Sequence, residues 1–226
     1  MQVLLTDAPL YLIEPHDIQA ASLPAEILPH RLCLQRVLTW ARTFLCEPHR
    51  DLGREGSVCP YVRESLRHGL FWMAIFSAPN LVPNDAIEVL RRYRDWFLEL
   101  SQPTQVDAQY KAILVLFPNL LPANFHEIID ATQITLKPEF VRRGLMIGQF
   151  HEGCNEPGIW NAGFRPFHSP VPLLAIRHMV CWDAPFLVRD SWALEAYLSR
   201  FGGVVPERLR SQVRGAASAL GLGQID

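Results

Sequence analysis

Residues 137–187 read KPEFVRRGLMIGQFHEGCNEPGIWNAGFRPFHSPVPLLAIRHMVCWDAPFL, and two apolar runs inside them, Leu145–Phe150 and Leu173–Met179, decide the fold class. Each run has the length and composition of a strand buried on both faces, and neither is long enough for a core helix. The roughly twenty residues between them exceed what a compact domain ordinarily leaves without secondary structure, which marks the loop as functional. The stretch also holds three histidines, two cysteines, four arginines and seven aromatic residues, a density found nowhere else in the chain.

Working outward, Leu70–Phe76 (LFWMAIF) and Ala112–Phe117 (AILVLF) repeat the fully apolar strand pattern. Between them Asn84 is placed to cap a long helix. Its Ile87, Leu90, Phe97 and Leu98 form the buried stripe, with Arg91, Arg92, Arg94 and Asp95 toward solvent. Asn124 followed by Glu127 is close to a capping box and opens a helix to Leu136, after which Pro138 and Gly144 bracket one or two further turns. Upstream, His30–Cys46 carries Leu34, Val37, Leu38, Ala41, Phe44 and Leu45 at helical spacing, and Pro60 begins a short helix through Leu66. Val3–Ile13 reads as a strand or an arm lying on the body. Downstream, Asp190 caps a helix to Phe201 and Pro206 begins a last one to Leu220. The expected architecture is a single α+β domain over residues 1–226, with a central mixed sheet of about four or five strands covered by helices. Residues 188–226 form a helical C-terminal extension.

A chain of 226 residues, 49% hydrophobic and 19% charged, is a folded protein and not a disordered one. A net charge of -2 without a basic block excludes electrostatic capture of nucleic acid or an anionic membrane. No apolar run approaches the roughly 20 residues that span a bilayer, and the N-terminus lacks the basic start of a secretory signal, so a cytoplasmic location is expected. Cys33, Cys46, Cys59, Cys154 and Cys181 are odd in number and scattered, which predicts reduced thiols and not a disulfide framework. The expected partner is a small-molecule substrate, with a homodimer left open.

The candidate chemistry lies in the 137–187 stretch. His151 directly follows a strand, where a rigid scaffold can aim an imidazole into a site. Glu152 and Glu156 flank it and can serve acid–base work or receive a cationic substrate. Arg177 sits inside an apolar strand, so its guanidinium must be paired, with Asp183, with a carboxylate of a C-terminal helix, or with a carboxylate of a ligand. His178 beside it reads as a hydrogen-bonded core histidine or as the alternative to His151 as a metal ligand, and His168 is a weaker candidate. His151-x-x-Cys154 and His178-x-x-Cys181 repeat a spacing that would supply four zinc ligands. Cys59, before Pro60, is either a nucleophile or a packed thiol. There is no GxGxxG, Walker loop, HExxH or GxSxG, and no CxxCH for a covalently attached haem.

The run Phe140-Val141-Arg142-Arg143-Gly144-Leu145-Met146-Ile147-Gly148-Gln149-Phe150-His151 carries a resemblance. With Pro157-Gly158, Asn161, Phe164-Arg165-Pro166, Ser169-Pro170-Val171-Pro172, Ile176-Arg177, Asp183 and Phe186-Leu187, it resembles a family of unknown-function proteins found beside natural-product biosynthetic genes. The match extends back through Leu114–Pro118 to Cys59-Pro60 and covers the core of the chain, residues 50–200. More distantly the layout is similar to the YqcI/YcgG family, some members of which are haem proteins that N-hydroxylate guanidino or amino groups of amino acids.

That resemblance implies a non-covalent haem b with His151 as the iron ligand. Such a haem needs an apolar slot, cations for its propionates and a shielded open face. Phe150, Trp160 and Phe164 would wall the slot, Arg165 and Arg177 would reach the propionates, and His178 and Glu152 would manage protons and substrate. The expected activity is a haem-dependent oxygenase of a biosynthetic pathway that oxidises, for example N-hydroxylates, a small polar substrate such as an amino acid or guanidino compound. Two other readings stand beside it: a non-catalytic small-molecule-binding or accessory protein with an aromatic pocket, and a zinc-site protein.

Overall fold

The strands read as unbroken apolar runs because helices cover both faces of the sheet they form. A computed structural model describes residues 2–5, 8–19, 22–78, 80–103 and 105–222. The central sheet contains β3 (Phe71–Ile75), β4 (Ala112–Leu116), β5 (Leu145–Phe150) and β6 (Leu173–His178), in the order β3-β4-β6-β5. β3 and β4 are parallel, while β6 runs antiparallel to both β4 and β5. Three strands, β3, β4 and β5, therefore end at the same edge of the sheet, and β6 starts there. A separate hairpin joins β1 (Gln2–Leu5) to β2 (Ala8–Tyr11) within the stretch expected to be a strand or arm.

Alternate residues of each strand feed different cores. Ala74, Ile113, Val115, Leu174 and Ile176 meet α4 (Pro83–Leu100) and α5 (Ala131–Arg142) on one face. Phe71, Met73, Leu114, Leu116 and Leu173 meet α1 (Pro15–Gln19) and α2 (Arg31–Trp40) on the other. A third cluster packs η-type turns and α6 (Ser191–Phe201) with α7 (Glu207–Ala219) against Val141 and Met146, which is the helical C-terminal extension. The protein is thus α+β with a four-stranded mixed sheet, as the apolar runs predict.

Three local expectations are corrected. α4 begins at Pro83, with Val82 as its cap residue and the Asp85 carboxylate accepting from the Val82 amide at 3.2 Å, so Asn84 lies inside the first turn. Pro138 does not break the helix but sits within α5. The carbonyl it leaves without a donor belongs to Ile134, whose side chain is 69% exposed, so water can serve it. Arg94, expected in solvent, is buried, and it donates to Glu139 of α5 at 2.9 Å while Arg91 binds the same carboxylate at 2.6 and 3.1 Å.

Both outer edges of the sheet are occupied at one position. Ile13 exchanges two backbone hydrogen bonds with Met73, at 2.8 and 2.9 Å, alongside β3. On β5, the Gln133 amide of α5 donates to the Ile147 carbonyl at 3.1 Å.

Candidate functional site

His151 leaves β5 at the edge where the three like-directed strands end. Its amide donates to the Phe167 carbonyl at 3.2 Å and its own carbonyl accepts from Cys154 at 3.1 Å, so the loop folds over it and its side chain is fully buried. The Phe125 ring packs against the imidazole at 5.0 Å, and the His126 ring stands edge-on at 5.7 Å.

The chain enters α5 through a π-helical turn, His126–Asp130, a widening that recurs at functional sites. In it His126 Nδ1 lies 2.6 Å from Asp130 Oδ2, and Asp130 Oδ1 lies 3.0 Å from His151 Nε2. An ionised carboxylate only accepts, so each imidazole donates to Asp130, and the buried His151 Nδ1 is left as an acceptor with no hydrogen-bond partner. Two imidazoles and one carboxylate thus converge, all three donor atoms lying within 4.8 Å of one another. Neighbouring ligands of one ion with bonds of about 2.1 Å stand about 3 Å apart, so the two observed close pairs need little change to share a metal. The third pair closes by rotation of His126, which is mostly exposed. Cys154 lies close by, but burial pushes its thiol up and Asp130 adds to the rise, so it stays protonated.

Beside this cluster is a cleft of about 210 Å³, bordered by Cys33 and Arg36 of α2 and by Leu120, Phe125, Glu152 and Ser169. Phe125 is the shared wall between cleft and cluster. Arg36 donates to the Pro170 carbonyl at 3.2 Å, and burial pushes the neighbouring Cys33 thiol up to about 11 against the opposing pull of Arg36. A second cavity shares Leu120 and is lined by Ser77, Asn80, Asn119 and Asn124. Both lie where β3, β4 and β5 end and β6 begins.

Of the residues singled out in sequence, His151 and Glu152 come together here. Phe150 packs between Trp40, at 5.7 Å, and Phe167, at 5.3 Å. Phe164 is buried against His49 at 4.7 Å, and Trp160 is 42% exposed. The Trp160 carbonyl lies over Gly53, where a Cβ would come within 2.8 Å of it, and Gly53 has φ +79. Arg165 donates to the carbonyls of Ala162 and Phe164 at 2.6 and 3.1 Å. These side chains do not stand as two walls about His151. Cofactor pockets usually measure about 300–1,000 Å³, and the two cavities at this end of the sheet, each about 210 Å³, fall short of that and are not lined by His151. The fully enclosed imidazole, packed against Phe125 at 5.0 Å and His126 at 5.7 Å, does not fit the axial ligand of a haem.

Arg177 and His178 are elsewhere, which corrects the expectation that they share a pocket mouth with His151. The register pairs Leu145 with His178 and Phe150 with Leu173, so the two histidines lie at opposite ends of the sheet, about 20 Å apart along the strands. The same separation splits the His151-x-x-Cys154 and His178-x-x-Cys181 pairs, which cannot form one zinc site. Arg177 grips Asp183 through two bonds of 2.7 and 2.6 Å, so its partner is the protein's own carboxylate and not a propionate. Cys59 is half-buried near that ion pair and away from the cleft.

His178 is buried, donates from Nε2 to the Ser101 carbonyl at 3.1 Å and lies 2.7 Å from the Ser101 hydroxyl. Burial lowers its pKa; the Ser101 carbonyl opposes the shift and Lys111 adds to it. A neutral buried histidine takes up its proton more readily when unfolded. Its stabilising contribution is therefore complete above the unfolded value near 6.5, and falls as pH drops from there toward the lower folded value. The urea midpoint of the wild type is expected to fall more steeply between pH 7.5 and 5.5 than that of His178→Gln; parallel profiles would exclude His178 as the source.

His126 and Asp130 escaped the sequence reading. Their His-x-x-x-Asp spacing on a helix opening was the available signal, masked because Asn124 and Glu127 read as a capping box. No helix among the described residues is long and apolar enough to cross a membrane. Compared with known families, residues 34–212 match a model described as a domain of unknown function (DUF6875). No curated protein and no solved structure matches the chain.

Proposed function

The chain belongs to the DUF6875 family, and for this member we propose a metal-dependent oxidoreductase that oxidises a small polar substrate at a centre held by His126, Asp130 and His151. The convergence of two imidazoles and one carboxylate carries the reading, because that donor set suits non-haem iron(II). Bound iron would supply oxygen activation. Glu152 and Arg36, of opposite charge on the rim of one cleft, suit a substrate with a cationic and an anionic end, such as an amino acid or a carboxylated guanidino compound. Phe125 borders both the cleft and the buried imidazole, so it sets how closely a substrate in the cleft approaches the centre. Asp130 orients both histidines and neutralises part of the charge of an ion. The oxidative class is supported by the distant similarity of the chain's layout to the YqcI/YcgG family, some members of which N-hydroxylate guanidino or amino groups.

The test is anaerobic titration of chelator-treated protein with iron(II), manganese(II) and zinc(II), followed by oxygen uptake with a panel of amino acids and guanidino acids. One equivalent of iron(II) bound at micromolar affinity, with substrate-dependent oxygen consumption, is expected. Absence of binding by any of the three ions at millimolar concentration would overturn the metal centre and leave a hydrogen-bonded His–Asp–His relay. Binding of zinc with no oxygen uptake under any condition would overturn the oxidative class.

A further inference from the structure

Cys46 closes the wide turn that follows α2, and Cys59 precedes Pro60 at the entry to α3 (Val62–Arg67). Between them the chain doubles back, with Pro48 opposite Ser57 in an antiparallel bridge. Past Val58 the register slips by one residue, since Pro60 has no amide to continue it: the Val58 amide donates to the Glu47 carbonyl and the Cys59 amide to the Leu45 carbonyl, both at 2.9 Å. The Cys59 nitrogen therefore sits against the oxygen of the peptide joining Leu45 to Cys46, which keeps the two cysteine Cα atoms within about 7 Å, the outer span of a disulfide.

Both residues are free thiols. Cys46 is buried, and burial pushes its thiol up, with the nearby Cys59 adding to the rise. Cys59 is half-buried and within electrostatic reach of the Arg177 guanidinium. The turn is held by the Ser57 hydroxyl donating to the Cys59 carbonyl at 3.0 Å and by Arg63 donating to the Cys46 carbonyl.

We propose that Cys46 and Cys59 form a reversible dithiol–disulfide site whose oxidant is a hydroperoxide. Cys59, the more accessible, attacks as thiolate: its sulfur–oxygen bond forms as the peroxide O–O bond breaks, the departing oxygen leaves as water, and Cys59 becomes a sulfenic acid. Cys46 then gives up its proton and attacks that sulfur; the S–S bond forms, the S–O bond breaks and a second water leaves. In sum the two thiols lose two protons and two electrons, and one hydrogen peroxide is reduced to two waters. The site stands on the Arg177 side of the molecule and does not depend on the metal reading.

The test treats the reduced, metal-free full chain with hydrogen peroxide, alkylates the remaining thiols, and maps non-reduced peptides by mass spectrometry. One intramolecular Cys46–Cys59 cross-link is expected, reversed by dithiothreitol and missing from Cys59→Ser. Recovery of Cys46 and Cys59 as alkylated thiols, or either one joined to Cys33, Cys154, Cys181 or a second chain, would overturn the proposal. The decisive measurement is on the wild type, so it stands even where the variant folds poorly.

Discussion

Replacing Asp130 with Ala is expected to weaken iron(II) binding by at least about 100-fold, the upper end of what even outer partners of metal ligands cost when removed. Asp130 touches both imidazoles, at 2.6 and 3.0 Å, so its loss removes one ligand and releases the other two. The alanine also leaves the fully buried His151 Nε2 without its acceptor, which costs about 1–3 kcal/mol of stability. Asp130→Asn separates the two effects. An amide oxygen can still accept from His151, so stability should return toward wild type while metal affinity stays low. Calorimetric titration of both variants with iron(II), with urea unfolding alongside, makes the distinction. Wild-type affinity in Asp130→Asn would remove Asp130 from the centre.

The second large effect lies at the other end of the sheet. Arg177→Ala is expected to destabilise the fold by roughly 3–5 kcal/mol, because it strands a buried carboxylate. Asp183 has a side chain only 3% exposed, bound by two Arg177 nitrogens and by the Val180 amide at 2.8 Å. Urea unfolding at pH 7 reads the loss, and Arg177→Ala/Asp183→Asn should recover part of it, because the amide still accepts from Val180 without carrying the stranded charge. A single-variant loss below about 1 kcal/mol would mean that water replaces the guanidinium. Metal affinity should not change, since the pair lies a strand's length from Asp130.

The sheet was legible because four strands covered on both faces leave continuous apolar runs that no amphipathic helix leaves. Helix α4 was legible from its buried stripe, and α6 and α7 from Asp190 and Pro206 at their starts. Strand direction was not. Leu145–Phe150 and Leu173–His178 look alike in sequence, and only their antiparallel pairing puts His178 beside Leu145, far from His151. Arg94 shows the same limit: its neighbours predict a solvated face, and only the docking of α5 brings Glu139 to it. In the candidate site, the position of His151 after a strand was informative, but its partners come from a turn that a backbone widening brings into range. A capping pattern and a ligand pattern use the same residue types, and the π-helical turn that tells them apart leaves no mark in composition.

The occupied sheet edges bear on how copies of this chain can meet. An open strand offers unpaired amides and carbonyls to any neighbour, and proteins commonly assemble or aggregate by adding strands there. Here Ile13 takes the hydrogen bonds of Met73, and Gln133 satisfies a carbonyl of β5 from the side. Adding a strand would have to strip a native bond at either flank.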